Sequence, residues 1–227
     1  MRILHSDIQQ KMEILRGNEY FDTMPEPILE QIAGQMQLRK YERGEALFWE
    51  GDACDGLYMV MQGSAKIYRL SPQGRQYIVR VLQEGDTFAE VPAFDGGANP
   101  ANVEALEPCE LWVIDSEILR ALILSHPQFA QKVLVNFGTM LRQMVRQVSE
   151  MAFYQVTHRL ARLISELPPD EMGTASLMTQ EQMAARLGTV REVVARSLKE
   201  LERSGAIQVE NRRIRILDQT TFSQWMN

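Results

Sequence analysis

Residues that carry metal or covalent chemistry are scarce in this chain of 227 residues, which has two cysteines and three histidines. Cys54 and Cys109 cannot build a disulfide framework or a four-cysteine metal cluster, which points to the reducing cytoplasm. No apolar run approaches the ~20 residues that are needed to cross a bilayer. Polar residues interrupt the apolar positions near the N-terminus, so a signal-peptide core is lacking as well. We therefore expect a cytoplasmic protein that has no membrane partner.

Signatures of catalysis are also lacking, since there is no nucleophile–base pair, no metal-ligand cluster and no phosphate loop of the P-loop type. We therefore predict that the protein is not an enzyme and has neither catalytic residues nor a metal site. The net charge of −6 excludes a general polyanion binder. Residues 186–215, however, hold 8 basic and 4 acidic side chains. Such a run is usually a solvated face, and it gains meaning only on an element that enters a DNA groove.

Short strand-like runs alternate with turn signals between residues 38 and 115, after an amphipathic helix predicted over 24–36. The runs are 46–49, 57–61, 65–70, 77–82 and 111–114. Several glycines in this stretch lie about eleven residues apart, which is the rhythm of an all-β barrel or sandwich. The sequence therefore predicts a β domain in the first half of the chain.

A long helix is predicted from Pro127 to about residue 153, because proline suits a first helical turn. The stretch contains no further proline and a single glycine, Gly138. Its apolar residues recur at steps of three and four, the spacing of a coiled-coil seam between two subunits. The predicted seam residues are Val133, Phe137, Met140, Met144, Val148 and Met151. The alternative is that this stripe packs against the β domain of the same chain.

Two helix-start signatures follow a helix that is predicted over 156–167. Thr179–Gln182 is a capping box ahead of one apolar stretch, and Thr189–Glu192 is a second capping box ahead of another. Gly188 and Gly205 are expected to end the two helices in the left-handed conformation. A short helix, a tight turn and a longer helix form the pattern of a helix-turn-helix.

A β-hairpin is predicted behind the second helix, from 207–209 and 214–217, and makes the motif a winged helix-turn-helix. The second helix of such a motif enters the DNA major groove with its first turn. Arg191 and Arg196 can each donate two hydrogen bonds to guanine, and Glu192 can accept one from cytosine. The alternative is a solvated face with a Glu192–Arg196 pair. Contacts with the DNA phosphates give affinity and register. The residues predicted to make them are Thr179, Thr189, Lys199, Arg212 and Arg213.

Three segments give the chain a resemblance to the CRP/FNR family of bacterial transcription regulators over nearly its whole length. They are Gly85–Glu90 in the β domain, Ala152–Leu160 at the hinge and Leu187–Arg196 in the helix-turn-helix. Within the last segment, Arg-Glu followed four residues later by Arg is typical of the catabolite-activator-like branch.

The resemblance implies an α+β protein. Its parts would be a jelly-roll-like β-roll sensor domain over 1–126, a long dimerisation helix over 127–154 and a winged helix-turn-helix DNA-binding domain over 155–227. It also implies a homodimer that binds double-stranded DNA at a palindromic TGTGA-like site, with RNA polymerase as a further partner. By the same resemblance, an effector would shift the two long helices and set the spacing of the two reading helices.

Departures from the family pattern bear on the effector. Cyclic-AMP members have Gly-Glu for the ribose, Arg-Ser for the phosphate and Thr-Ser for adenine, where this chain has Ala89-Glu90, Asn99-Pro100 and Met144-Val145. Pro100 has no N–H to donate, and Asn99 carries no charge for the phosphate. We therefore predict that cyclic AMP is not the effector. The effector pocket is predicted to be lined by Phe88, Ala89, Glu90, Asn99, Pro100, Met140 and Met144.

Several alternatives for the signal stay open. The segment 88–90 with Pro100 is similar to the nitric-oxide-sensing, haem-binding branch, in which haem would need His5, His126 or His158 as an axial ligand. Cys54 and Cys109 could form a redox switch, although they are predicted on different strands. The regulator could also act without an effector. A reading from another class is that the β domain serves as the ligand module of an enzyme's regulatory subunit.

Overall fold

The computed structural model describes residues 1–4, 6–167, 178–210 and 213–226. The strands in chain order are β1 (Arg2–Leu4), β2 (Gln37–Tyr41), β3 (Ala46–Phe48), β4 (Gly56–Gln62), β5 (Ala65–Leu70), β6 (Gln76–Leu82), β7 (Thr87–Phe88), β8 (Asn102–Ala105), β9 (Cys109–Asp115), β10 (Ile207–Glu210) and β11 (Arg213–Ile216). The helices are α1 (Ile8–Gly17), α2 (Glu26–Gln35), α3 (Glu90–Asp95), α4 (Ser116–Ser125), α5 (Pro127–Phe153), α6 (Val156–Glu166), α7 (Gln180–Leu187), α8 (Arg191–Arg203) and α9 (Gln219–Gln224). These elements pack into two units, Met1–Arg69 with Val79–Leu141 and Leu70–Ile78 with Arg142–Asn227.

Two sheets form the β domain. One has the strand order β1-β2-β9-β4-β7 and the other the order β3-β8-β5-β6. Strands β4 and β9 pair antiparallel from Gly56 opposite Asp115 onwards. Glycine is required at position 56, because a Cβ atom there would lie 1.9 Å from the carbonyl oxygen of Ile114. Buried residues of both sheets, such as Tyr58 and Val103, belong to one core cluster.

A second core cluster of the first unit joins the helices to the sheet that contains β4 and β9. Phe21 stacks on Phe129 of α5 with ring centroids 5.5 Å apart, and Phe94 of α3 lies 5.5 Å from the ring of Tyr20. Full burial of one such side chain contributes ~1.5–3 kcal/mol to folding. This cluster therefore fixes α3 and the first turns of α5 against the β domain.

The long helix α5 has the predicted bounds, but its apolar stripe does not stay on one surface. Val133 is only 4 % exposed and belongs to the core of the first unit. Phe137 packs against the same core, with its ring 6.0 Å from that of Phe94. These two residues, predicted in an intersubunit seam, thus follow the alternative of packing on the chain's own β domain. The exposed apolar residues of α5 are Leu134, Val135, Leu141, Met144, Val145, Val148, Met151 and Phe153.

The second unit is built around three helices and a hairpin. The buried faces of α6, α7 and α8 meet in a core that includes Leu160, Met183 and Leu198. The hairpin of β10 and β11 closes this core with Ile207 and Ile214. The helix-turn-helix and its wing are therefore confirmed.

The structure confirms the predicted order of a β domain, a long helix and a winged helix-turn-helix. The ends of the strands lie within two residues of the ends of the predicted runs. The elements that the sequence does not predict are short or lack a strong period; they are α1, α3, α9, β1, β2, β7 and β8. Within the described ranges, no helix has both the length and the apolar content of a membrane span.

Candidate nucleic-acid interface and ligand site

Helix α8 has two chemically distinct faces. Its buried face carries Val194, Leu198 and Leu201 in the core of the second unit. The opposite face is exposed and carries Arg191, Glu192, Arg196 and Lys199. The three residues predicted to read bases therefore share one solvent-facing surface that begins in the first turn of α8.

The turn between α7 and α8 determines the direction in which α8 leaves α7 and therefore where that surface lies. Gly188 ends α7 with φ +64°, and the N–H groups of Gly188 and Thr189 both donate to the carbonyl of Ala184. Helix α8 begins at Arg191, so its N-cap is Val190, whose side chain has no acceptor. The predicted second capping box at Thr189 is therefore wrong, because Thr189 is used to close α7 and lies one residue too early.

The first capping box, at the start of α7, is confirmed. The N–H of Gln182 donates to Thr179 Oγ1 at 3.1 Å, and the N–H of Thr179 donates to Gln182 Oε1 at 2.8 Å. The Thr179 hydroxyl keeps its own proton free to donate, which suits a phosphate contact. Two hydrogen bonds between Thr179 and Gln182, three positions apart in the sequence, therefore fix the start of helix α7.

The exposed face of α8 that carries Arg191, Glu192, Arg196 and Lys199 is called the reading surface below. Its side chains form few ion pairs among the described residues. Arg191 Nε lies 3.9 Å from Glu181 Oε1 of α7. Glu192 and Arg196, in the described structure, form no ion pair with each other, so the pair expected for an ordinary solvated face is missing. Arg196 and Glu192 are thus available to an external partner.

The predicted phosphate contacts lie around this surface. Lys199 is exposed, whereas Thr189 is half-buried in the turn. Arg213 is half-buried in β11, opposite Glu210 of β10. Arg212 lies outside the described residues, so its position in the wing stays a prediction.

Sequence analysis missed the side chains that hold α8 and α7 to α6. Thr157 of α6 donates to Glu200 Oε2 of α8 at 2.8 Å, and its oxygen lies 2.9 Å from Ser197 Oγ. Arg159 of α6 donates to the carbonyl of Leu187 at 2.8 Å, at the end of α7. These buried and partly buried bonds fix the tilt of α8 against α6. The i, i+3 spacing of Ser197 and Glu200 on one helix face was the available signal.

The candidate ligand site of the β domain centres on the junction of β7 and α3. Ala89 has φ +63°, and it is the one residue other than glycine with a positive φ in the described part of the chain. The next residue, Glu90, is 6 % exposed, and its Oε1 accepts a 2.8 Å hydrogen bond from the Thr87 hydroxyl. Burial raises the pKa of Glu90, against the opposing effects of its own backbone amide, Thr87 and Arg80. Phe88 is fully buried and stacks on Tyr58.

Two polar groups near Glu90 were not predicted from the sequence. The Tyr20 hydroxyl and Asn136 Nδ2 are buried, and neither has a hydrogen-bond partner of ordinary geometry among the described residues. Burial first, and then the negative charge of Glu90, raise the pKa of Tyr20, while the Asn136 amide lowers it. Glu90, Tyr20 and Asn136 therefore form a buried polar cluster that joins α3, the α1–α2 connection and α5.

The positions that align with the family's phosphate contacts carry no positive charge. Asn99 is buried and donates from Nδ2 to the carbonyl of Ala53 at 3.3 Å, while its Oδ1 is without a partner in the described residues. The carbonyl of Pro100 accepts a 2.7 Å hydrogen bond from Arg69. The side chains of Asn99 and Pro100 therefore offer no charge to a cyclic phosphate, and the nearby Arg69 guanidinium is engaged by the Pro100 carbonyl and by Glu50. Of the remaining predicted pocket residues, Met140 is half-buried and Met144 is exposed.

Two histidines and both cysteines lie within the described residues, and His158 Nδ1 is buried there without a hydrogen-bond partner. His126 Nδ1 lies 2.8 Å from the Ser125 hydroxyl, and the ring of His158 lies 5.4 Å from that of Trp225. His5 lies outside the described residues. Both cysteines are free, and burial raises the pKa of each thiol, to about 11 for Cys109. Both thiols are therefore protonated near neutral pH. No group of three or more metal-ligating side chains occurs within the described ranges.

Comparison with known proteins matches both halves of the chain. Residues 38–126 match the model of the cyclic nucleotide-binding domain, and residues 158–224 match that of the Crp-like helix-turn-helix domain. A CRP-like cAMP-activated global transcriptional regulator of Mycobacterium tuberculosis is 26% identical over 213 residues, which cover 91% of this chain and 95% of the relative.

Solved structures show the same fold. A protein of Eubacterium rectale, described as a regulator of the crp/fnr family, superposes with a TM-score of 0.76 at 21% identity, over 92% of this chain and 99% of that one. The c-di-GMP-responsive global regulator of Xanthomonas campestris gives a TM-score of 0.70 at 21% identity, over 86% and 100% of the two chains.

Proposed function

Because the chain belongs to the CRP/FNR family of transcription regulators, we propose that it acts as a homodimer on a palindromic DNA site with TGTGA-like half-sites. The chain itself is a DNA-binding regulator with a cyclic nucleotide-binding domain, and its relatives are regulators rather than enzymes. The observation that carries the proposal is the exposed surface of Arg191, Glu192 and Arg196, backed by the buried face of α8.

The chemistry of this surface fits a half-site that contains guanine and cytosine. Each guanidinium of Arg191 and Arg196 can donate two parallel hydrogen bonds to O6 and N7 of guanine. The Glu192 carboxylate can accept from N4 of cytosine on the complementary strand. Thr179, Lys199 and the wing supply phosphate contacts, which give affinity without sequence information.

A second copy of the chain fits the exposed side of α5. Met144 is 62 % exposed, and Leu141, Val145 and Val148 form a continuous apolar stripe with it at helical spacing. An apolar stripe of this length supports a coiled-coil contact between two protomers. In this proposal the seam uses Met144, Val148 and Met151 of the predicted set, and Leu141 and Val145 are added. Val133 and Phe137 are left in the core, and the half-buried Met140 lies at the edge of the seam.

We further propose that residues 1–126 sense a signal, 127–154 join the two protomers and 155–227 bind DNA. The protein works in the cytoplasm, where DNA and RNA polymerase are its partners. Cyclic AMP is not its effector, because the side chains of Asn99 and Pro100 carry no charge for the phosphate, and the Arg69 guanidinium beside Pro100 is already paired with Glu50. The relative from Mycobacterium tuberculosis is named as cAMP-activated, and that from Xanthomonas campestris as c-di-GMP-responsive. Effectors thus differ among proteins of this fold.

Fluorescence anisotropy with a labelled TGTGA-type palindrome tests the DNA-binding proposal, with a scrambled duplex of equal composition as the control. We expect tighter binding to the palindrome and a steep loss of affinity with rising salt, since each phosphate contact releases counterions. Equal binding to both duplexes, or binding that salt does not change, would contradict the proposal.

Thermal melts test the effector proposal. A ligand that binds the folded state raises the midpoint by mass action. We expect cyclic AMP at millimolar concentration to leave the midpoint unchanged. A rise with cyclic AMP would overturn that part of the proposal, while c-di-GMP and haem are tested in parallel as candidate effectors.

A further inference from the structure

An acidic side chain stands beside the reading surface. Glu181 is the second residue of α7, and its Oε1 lies 3.9 Å from Arg191 Nε at the start of α8. Both side chains are largely exposed, at 72 % and 60 %. They stand at the rim of a cleft of about 300 Å³ that is lined below by Met183, Leu198 and Ile214. Among the described residues, Glu181 is the carboxylate paired with Arg191.

The Glu181 carboxylate faces one edge of the Arg191 guanidinium, the edge that carries Nε. Bidentate recognition of guanine uses two N–H groups of one guanidinium in a fixed plane. Arg191 therefore has to leave Glu181 when it reads a base through Nε and one Nη. The exposed pair adds little to folding stability, so stability alone does not account for its position across the α7–α8 turn.

We propose that Glu181 is a positioning residue that competes with DNA for Arg191, an inference that rests on the proposed function. In the free protein the Glu181 carboxylate holds the guanidinium at the rim of the cleft. In the complex guanine replaces the carboxylate, and the gain from the arginine–guanine contact is reduced by the loss of the ion pair. Glu181 thereby lowers the affinity of the regulator through Arg191.

A double-mutant cycle with the TGTGA-type palindrome tests this inference. We expect Glu181→Gln to tighten binding by up to about fivefold at low salt, the upper end for one exposed charge interaction. In an Arg191→Ala background the same change is expected to tighten binding by no more than about twofold, because the competed group is gone. Glu30→Gln, which removes an exposed carboxylate from α2 in the other unit, is the charge-matched control and should leave the affinity unchanged.

The outcomes separate this inference from the proposed function. An equal gain from Glu181→Gln in both backgrounds would show repulsion of phosphates alone and would overturn the competition. No gain, while Arg191→Ala still loses preference for the palindrome, would overturn the inference and leave the proposed function standing. If neither the unmodified protein nor any variant prefers the palindrome to its scrambled form, the proposed function fails and this inference with it. Thermal melts of each variant exclude unfolding as the cause.

Discussion

The buried hydroxyl of Tyr20 leads to a prediction about the free energy of unfolding. The side chain is 0 % exposed, and its hydroxyl completes no hydrogen bond of ordinary geometry among the described residues, although the Asn136 amide is near enough to lower its pKa. A buried polar group without a partner costs ~1–3 kcal/mol. Removal of one oxygen leaves a small void, and a cavity costs ~24 cal/mol per Å³, so that loss is only a few tenths of a kcal/mol. We therefore expect Tyr20→Phe to raise the free energy of unfolding by about 1 kcal/mol.

Tyr58 supplies a matched control in the same unit. It is 2 % exposed, and its hydroxyl accepts a 3.4 Å hydrogen bond from Arg39 Nη1. Tyr58→Phe removes this acceptor, while Arg39 Nη1 keeps its 2.8 Å bond to Asp55, and should lower the free energy of unfolding by ~0.5–1 kcal/mol. The same chemical change is therefore expected to act with opposite signs at two buried positions.

Scanning calorimetry measures both variants, because it does not depend on which unit carries the tryptophan signal. For a chain of this size, ~1 kcal/mol corresponds to a shift of the midpoint by about 2–4 °C. A loss of stability in Tyr20→Phe, equal to that in Tyr58→Phe, would refute the reasoning. It would show that the Tyr20 hydroxyl is satisfied in solution, by Asn136 or by a buried water.

Other predictions follow from the same structure. Burial raises the pKa of Glu90 above its ordinary 4.5, so its charge costs stability as the pH rises through and beyond that value. Glu90→Gln should therefore stabilise the protein at pH 7 and have little effect near pH 4, as urea titrations at the two pH values would show. Met144→Glu should split the dimer, because a charge in an apolar seam lacks a partner; a dimer that persists by light scattering would contradict the seam. Arg196→Ala should cost ~1–3 kcal/mol of binding on the palindrome and relax its base preference. Lys199→Ala should weaken binding to all duplexes alike and reduce the salt slope by about one.

Features with a strong local signal could be predicted from the sequence. Pro127 and the absence of later breakers gave the bounds of α5, and the capping box at Thr179 gave the start of α7. The period of α8 placed Arg191, Glu192 and Arg196 on the side opposite Val194 and Leu198. These features depend on neighbours within one or two helical turns, which a single sequence displays.

Features that depend on packing partners could not be predicted. A helical stripe shows which residues are apolar, but it does not show what covers them, so Val133 was assigned to a seam rather than to the core. The pair of Glu181 with Arg191 forms across a turn whose geometry comes from Gly188 and its neighbours. The cluster of Tyr20, Glu90 and Asn136 brings together three distant parts of the chain, and no spacing rule connects them.

The backbone of Ala89 is strained, because its φ of +63° lies in the left-handed region. An L-residue in the left-handed region costs ~1–3 kcal/mol, and the surrounding structure has to maintain that conformation. Contacts around Ala89 therefore offset this cost in the folded protein, at the residue that directly precedes the first turn of α3.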